Sequence, residues 1–215
     1  MQCPVCTSPD SAHYLHVDGY DYFLCGTCRA IFVDPAALLS KEKEQERYLL
    51  HENNPDDPGY RRFLERLAVP LLKEIPPASS GLDYGCGPTP LLAKIIQEHG
   101  HRVAVYDPYF FPDASVLTEC YDFITCSEAA EHFYTPATEF ERLSALLKPG
   151  GTLALMTSLW DDSVDFSTWY YRKDPTHVVF YHEETFRFLA DRLGFSCTFP
   201  AKNIILFRKK KTEIS

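Results

Sequence analysis

Leu82–Phe110 reads LDYGCGPTPLLAKIIQEHGHRVAVYDPYF, and this stretch decides the fold. The run Gly81-Leu82-Asp83-Tyr84 is a short buried strand. Gly85 and Gly87 let the backbone pass close to a ligand, where a side chain would collide. Thr89 is a suitable N-cap and Pro90 fits the first helical position. Leu91, Leu92, Ile95 and Ile96 recur at helical spacing and pack that helix on a sheet, and Gly100 stops it. Val103–Tyr106 is the next strand, closed by Asp107. Strand, glycine turn, helix, strand and acid form the outline of a nucleotide-binding crossover, in which the acid meets ribose hydroxyls.

The usual dinucleotide fingerprint fails, because the sixth position from Gly85 is Pro90 rather than Gly or Ala. No Gly-Lys-Ser/Thr follows, which excludes the phosphate-cradling NTPase loop. What remains, Asp83-Tyr84-Gly85-Cys86-Gly87, resembles the D/E-x-G-x-G signature of class I S-adenosylmethionine (SAM) methyltransferases, with Thr89 where that family's third glycine usually stands. The likeness continues. CYDFITCSEAAEHF (120–133) is similar to the family's fourth strand and the loop beside the reactive methyl group. LSALLKPGGTLALMT (143–157) is similar to its helix, Pro-Gly-Gly turn and fifth strand. TFRFLADRLGFSCTF (185–199) with NIILFRK (203–209) is similar to the last helix and closing antiparallel strands. Residues 108–122 alone separate Asp107 from Phe123, so the intervening helix and third strand must be shortened. The resemblance implies an α/β fold: a Rossmann-like sheet, mostly parallel with its last strand antiparallel. It places SAM at Asp83, Gly85, Cys86, Gly87, Asp107, Pro108 and Ser127.

The same resemblance implies an in-line attack of a substrate nucleophile on the sulfonium methyl. Glu128-Ala-Ala-Glu131-His132, with the later His177 and Phe186, is similar to small-RNA 2′-O-methyltransferases and, in its first part, to ubiquinone-pathway O-methyltransferases. Those families hold a divalent ion beside the substrate oxygen. The implied catalytic set is therefore Glu128, Glu131, His132 and His177, with Mg²⁺ or another divalent ion. In the other arrangement His177 acts alone as general base, oriented by Asp174. The segment Trp169–Phe186 lies where such enzymes cover their substrate. Trp169, Tyr171 and Arg172 in it suit stacking and anion contacts.

Cys3, Cys6, Cys25 and Cys28 form C-x2-C-x18-C-x2-C. Each CxxC turn points two thiolates at one ion, and two turns complete a tetrahedral Zn²⁺ shell. Four thiolates leave no open position, so the zinc is structural. About 40 residues build no core without such a staple. The chain divides into a zinc ribbon over 1–39, a helical connector over 40–77 and a methyltransferase domain over 78–215. The connector is polar from Ser40, with turn signals at Asn53-Asn54-Pro55 and Asp57-Pro58-Gly59. Tyr60, Phe63, Leu64, Leu67, Leu71 and Ile75 then recur at helical spacing, with Pro70 as a bend.

The 215 residues carry a net charge of -9, which argues against broad nucleic-acid binding. No apolar run approaches the ~20 residues of a membrane span. Met1–Cys6 has neither a basic start nor an apolar stretch, so no signal peptide is expected and the location implied is cytoplasmic. The favoured function is methyl transfer to a small-molecule, hydroxyl-bearing acceptor. The first alternative is an RNA methyltransferase whose ribbon grips the nucleic acid. Against it, Arg29 is the one fixed positive charge in residues 1–35, beside Asp10, Asp18, Asp21 and Asp34. The second alternative is a non-catalytic module that binds SAM or presents the ribbon to a protein.

Overall fold

The computed structural model describes residues 1–50 and 54–211, so Asn53 of the first turn signal lies outside the described residues. The chain opens with three short antiparallel strands, β1 (Ser11–Val17), β2 (Tyr20–Cys25) and β3 (Ile31–Val33). Helices α1 (Lys41–Tyr48) and α2 (Pro58–Glu74) follow. The main sheet is then built from β4 (Ser80–Tyr84), α3 (Leu91–Glu98), β5 (Arg102–Tyr106), β6 (Tyr121–Ser127), α4 (Pro136–Leu146) and β7 (Leu147–Met156). The two-residue strand β8 (Val179–Phe180) lies outside this sheet, and helix α5 (Glu183–Leu193) and strands β9 (Phe195–Ala201) and β10 (Ile204–Lys209) complete it.

Six strands make the central sheet in the order β5-β4-β6-β7-β10-β9. Pairing is parallel throughout the β5-β4-β6-β7 half, and β10 runs antiparallel to both β7 and β9. This is the mostly parallel α/β arrangement expected, with the last strand reversed. Between β5 and β6 the described chain forms no strand. A 3-10 turn at Ala114–Thr118 takes that place, as the short spacing required.

Strand periodicity sorts the side chains into two cores. Phe123, Ala154, Met156, Ile204 and Leu206 face α2 and α3. Their neighbours Ile124, Leu153, Leu155, Ile205 and Phe207 face α4 and α5. Leu64, Leu67, Ala68 and Leu71 form the buried stripe of α2, which runs through Pro70 without ending. Asp57 caps its start, accepting from the Gly59 amide at 2.8 Å. The start of α3 sits one residue later than the sequence suggests. Pro90 is its N-cap, and the Thr89 carbonyl, not its hydroxyl, takes the Leu91 amide at 2.8 Å.

Two features lay beyond the sequence reading. The polar run after Ser40 is helical: Ser40 caps α1, accepting from the Lys43 amide. And the N-terminal sheet is not closed by its own residues. Its order is β1-β2-β3-β8, so Val179–Phe180 from the distant insert supply the fourth strand. Tyr22, Ile31 and Val33 pack against Trp160, Phe166, Tyr171 and Phe180 to form a third core between them. No described helix is long and apolar enough to cross a membrane.

Gly81 shows how tightly β4 meets β6. A Cβ there would lie 2.1 Å from the fully buried Phe123 ring. Gly81→Ala should destabilise the protein by about 1–3 kcal/mol through overpacking, and adding Phe123→Leu should recover part of that loss. Denaturant midpoints measure both.

Candidate active site

The carboxyl ends of β4, β5 and β6 open into a cleft of about 940 Å³. This is the place where open α/β sheets bind ligands. Asp83, Gly85, Cys86, Gly87, Asp107, Pro108 and Ser127 all line it, as do Glu128, Glu131, His132, Tyr171 and His177. Trp169 and Arg172 lie elsewhere.

The β4–α3 turn is shaped by sterics. Gly85 has φ +74° and Gly87 φ +65°. A Cβ on Gly85 would meet Ala129 Cβ at 2.6 Å. The Asp107 carboxylate accepts from the Gly87 amide at 3.0 Å and from the Tyr109 and Phe110 amides at 2.9 and 3.1 Å. It therefore ties the glycine turn to the loop after β5. The Ser127 hydroxyl at the end of β6 is buried and without a partner. Asp83 lies beneath the turn, taking the Thr125 hydroxyl at 2.7 Å, and burial pushes its carboxyl up to about 6.

Opposite stands a second group. Glu131 is fully buried, and its Oε1 accepts from the Tyr171 phenol. Its Oε2 is buried with no partner. One ligand atom from each of Glu131, His132 and His177 falls within a common 4.8 Å. His132 Nδ1 lies 2.9 Å from the Thr176 carbonyl, and His177 Nδ1 lies 2.6 Å from the Tyr171 carbonyl. A carbonyl can only accept, so each ring carries a proton on Nδ1, and in a neutral ring the lone pair sits on Nε2. Burial holds His177 below the usual histidine range, against the charge of Glu131. Glu128 is not in this tight group. It reaches the Tyr171 phenol at 3.2 Å and has the strained φ of +47°. Burial, then the charge of Glu131, pushes its carboxyl up to about 8.

The insert residues divide. Tyr171 joins the cleft through its phenol, which also meets the Thr157 hydroxyl at 3.1 Å. Arg172 is buried and bonds the Phe166 carbonyl at 2.9 Å and Asp18 of the β1–β2 turn at 2.7 Å. It joins the insert to the N-terminal sheet. Trp169 packs on Phe166, Tyr171 and Phe180. The His177 ring is oriented by the Tyr171 carbonyl, while Asp174 caps Thr176.

One part of the wall escaped sequence reasoning. Glu44 and Tyr48 of α1 and Tyr109 line the cleft. Both phenols donate to the buried Glu44 carboxylate, at 2.7 and 2.6 Å. Tyr48 also packs edge-on to His132, 5.2 Å between centroids. The available signal was a capping serine followed by a run of helix formers, with Glu44 and Tyr48 one turn apart.

Away from the cleft, Cys3, Cys6, Cys25 and Cys28 are buried with all four sulfurs within 4.8 Å of one another. Cys3–Cys28 is 3.7 Å and Cys6–Cys25 is 3.5 Å. Tetrahedral zinc thiolates at about 2.3 Å place sulfurs about 3.8 Å apart, so the cluster could hold Zn²⁺.

The raised pKa of Asp83 has a testable sign. The folded chain holds this proton more tightly than the unfolded chain, so the contribution is present below pH 4 and lost as pH rises to about 6. Asp83→Asn should flatten the fall in stability across that window by up to about 3 kcal/mol. Denaturation at stepped pH measures it.

The methyltransferase-domain family matches residues 51–198 of this sequence. Comparison with curated protein sequences gives no match. Among solved structures, the 1,6-didemethyltoxoflavin-N1-methyltransferase of Burkholderia thailandensis, with bound 1,6-didemethyltoxoflavin and S-adenosylhomocysteine, superposes with a TM-score of 0.56 at 15% identity. That match covers 93% of this chain and 99% of the other. An O-methyltransferase family protein from the same organism has a TM-score of 0.53 at 15% identity, over 79% of this chain and 63% of its own length. At such identities the likeness is one of fold, and with the matched family it makes this chain a member of the methyltransferase-domain family.

Proposed function

We propose that the chain binds SAM along the β4–α3 turn and transfers its methyl group to a hydroxyl of a small-molecule acceptor held at Glu131, His132 and His177. The carrying observation is the buried, unpartnered Glu131 Oε2 beside two histidines whose Nδ1 atoms are pinned to carbonyls. A buried carboxylate oxygen without a partner is costly, and a ligand that supplies a proton or a positive charge relieves it.

SAM fits the near side. The glycine turn leaves room for its backbone approach, Ser127 offers an unpaired hydroxyl, and Asp107 ends β5 where ribose hydroxyls bind. Asp83, Asp107 and Glu131 make an acidic lining suited to a sulfonium cation. The acceptor oxygen supplies the electron pair of the new C–O bond. The pair of the broken S–C bond stays on sulfur, giving neutral S-adenosylhomocysteine. The hydroxyl proton leaves to His177 Nε2 and from there to water. Alignment of oxygen, methyl carbon and sulfur is the main contribution of the site. The donor set of one carboxylate and two imidazoles also fits a divalent cation, with each ring held by a carbonyl as metal-bound histidines are. Such an ion would lower the pKa of the acceptor hydroxyl. Zn²⁺ at Cys3, Cys6, Cys25 and Cys28 is a separate, structural site, in a ribbon over 1–39 that precedes the connector over 40–77 and the methyltransferase domain over 78–215.

The neighbouring 1,6-didemethyltoxoflavin-N1-methyltransferase structure holds 1,6-didemethyltoxoflavin with S-adenosylhomocysteine, which supports an acceptor of that size. A nucleic-acid grip by the ribbon gains nothing from the structure. Arg29, its one fixed cation in residues 1–35, is engaged by Asp162 at 2.5 Å and Glu184 at 3.2 Å.

Titration of S-adenosylhomocysteine should give saturable binding that weakens at least about ten-fold in Asp107→Ala. Absence of binding to the unaltered protein would end this reading. His132→Ala and His177→Ala should each lower turnover by roughly 10²–10⁴-fold while leaving that affinity in place. Mn²⁺ titration followed by water-proton relaxation should find one site that His132→Ala weakens. No such site would leave His177 as base without a metal. Mn²⁺ reports on this site and not on the thiolate cluster, which prefers softer ions.

A further inference from the structure

The four-cysteine cluster lies outside the cleft, yet hydrogen bonds from its two turns lead to the elements that flank the loop carrying Glu131 and His132. From the first turn, the Pro4 carbonyl accepts the Ala137 amide at 3.1 Å, at the start of α4. Arg192 of α5 donates to the Cys6 carbonyl at 3.3 Å. The second turn runs into β3: the Cys25 amide donates to the Ala30 carbonyl at 2.9 Å, and Ile31–Val33 follow at once. The pairing of β3 with β8 continues the path. The Val33 amide donates to the Val178 carbonyl at 3.0 Å, and the Val178 amide donates to the Glu131 carbonyl at 2.9 Å. Val178 is the residue after His177. In the same core as the cysteines, the fully buried Tyr181 donates its phenol to the Ala130 carbonyl at 2.8 Å.

Thus the carbonyls of Ala130 and Glu131 are both held by residues of the β8 segment, and β8 is held by β3. The loop has little support of its own. It is a single 3-10 turn, Ala130–His132, following the strained Glu128. The cofactor turn is supported differently. The Gly85 and Cys86 amides donate to the Tyr106 carbonyl at 2.8 and 3.2 Å, and the Gly87 amide goes to Asp107. All of those partners belong to the main sheet or the loop after it.

We infer that the cysteine cluster is a positioning element for the acceptor end of the cleft. Closing it on a metal sets β3, β3 sets β8, and β8 places Glu131, His132 and His177. Metal occupancy of the cluster therefore controls methyl transfer while leaving cofactor binding unchanged. This inference rests on the reading of those three residues as the acceptor end, and its test does not require the acceptor.

Val33→Pro deletes the amide that bridges β3 to Val178 and changes no cysteine and no residue of the large cleft. Tyr181→Phe deletes only the phenol that holds Ala130. Zinc content, S-adenosylhomocysteine affinity and amide hydrogen exchange are measured for both variants and for the protein stripped of zinc by a chelator. Exchange should accelerate at least about ten-fold in residues 128–134 and 174–181, with residues 82–96 and the affinity unchanged. Both variants should keep one zinc per chain. Unchanged exchange in the two segments of all three samples overturns the inference. So does a uniform rise in exchange with loss of cofactor affinity in all three, which would make the cluster a global stabiliser. If exchange responds as expected but no hydroxyl acceptor is ever methylated, the coupling stands and the proposed acceptor chemistry fails. Should Val33→Pro not fold, Tyr181→Phe and zinc removal decide.

Discussion

The constraint that organises the site is the carboxylate of Glu131, fully buried at the carboxyl edge of a parallel sheet. Isolating such a charge from water is costly unless hydrogen bonds or an opposite charge answer it. The fold answers half of it. Tyr171, carried on a short 3-10 turn of the insert, is turned inward to donate to one oxygen. The other oxygen has no partner, and burial holds the nearby His177 below its usual range. A residual demand for a proton or a cation is therefore built into the resting structure. Burial, then the charge of Glu131, raises the neighbouring Glu128 carboxyl to about 8.

From this constraint follows the arrangement of the insert. Tyr171 can reach Glu131 only if the segment around it is held rigidly, and three different partners hold it. Arg172 anchors it to Asp18 of the β1–β2 turn. Trp169 and Phe166 pack it on Phe180. The β3–β8 pairing then fixes the return of the chain to α5. A separate N-terminal module would leave these groups unsupported. Here the insert completes the N-terminal sheet, and that sheet supports the insert.

The main domain was legible in the sequence because its signals are local. Glycines at positive φ, an apolar strand and a helical stripe each lie within a few residues, and Gly85, Gly87 and Asp107 line the cleft. Four cysteines in two CxxC turns were legible for the same reason, and their sulfurs converge. What the sequence could not convey depends on distant contacts. Arg172 looks like an exposed anion binder in an aromatic-rich segment, but its partner is Asp18, far away in sequence. Val179–Phe180 is too short a strand to be recognised alone, and only β3 makes it one. Helix α1 has almost no apolar stripe, so periodicity passed over it. Its contribution is polar: Glu44 gathers the phenols of Tyr48 and Tyr109 against the cleft.

The fixed cation of the N-terminal segment is also engaged by distant parts of the chain. An isolated zinc ribbon that grips a nucleic acid needs cations facing solvent. Arg29 instead lies over Trp160, 5.0 Å from the ring centre, between Asp162 and Glu184 of the main chain's later half. Arg192 reaches back from α5 to the Cys6 carbonyl and to Glu141 of α4. The Arg29 pairs and the Arg192–Cys6 bond join the N-terminal segment to the methyltransferase body, and such exposed pairs add little raw stability. The one fixed cation of residues 1–35 is thus committed to acids of the chain's own later half.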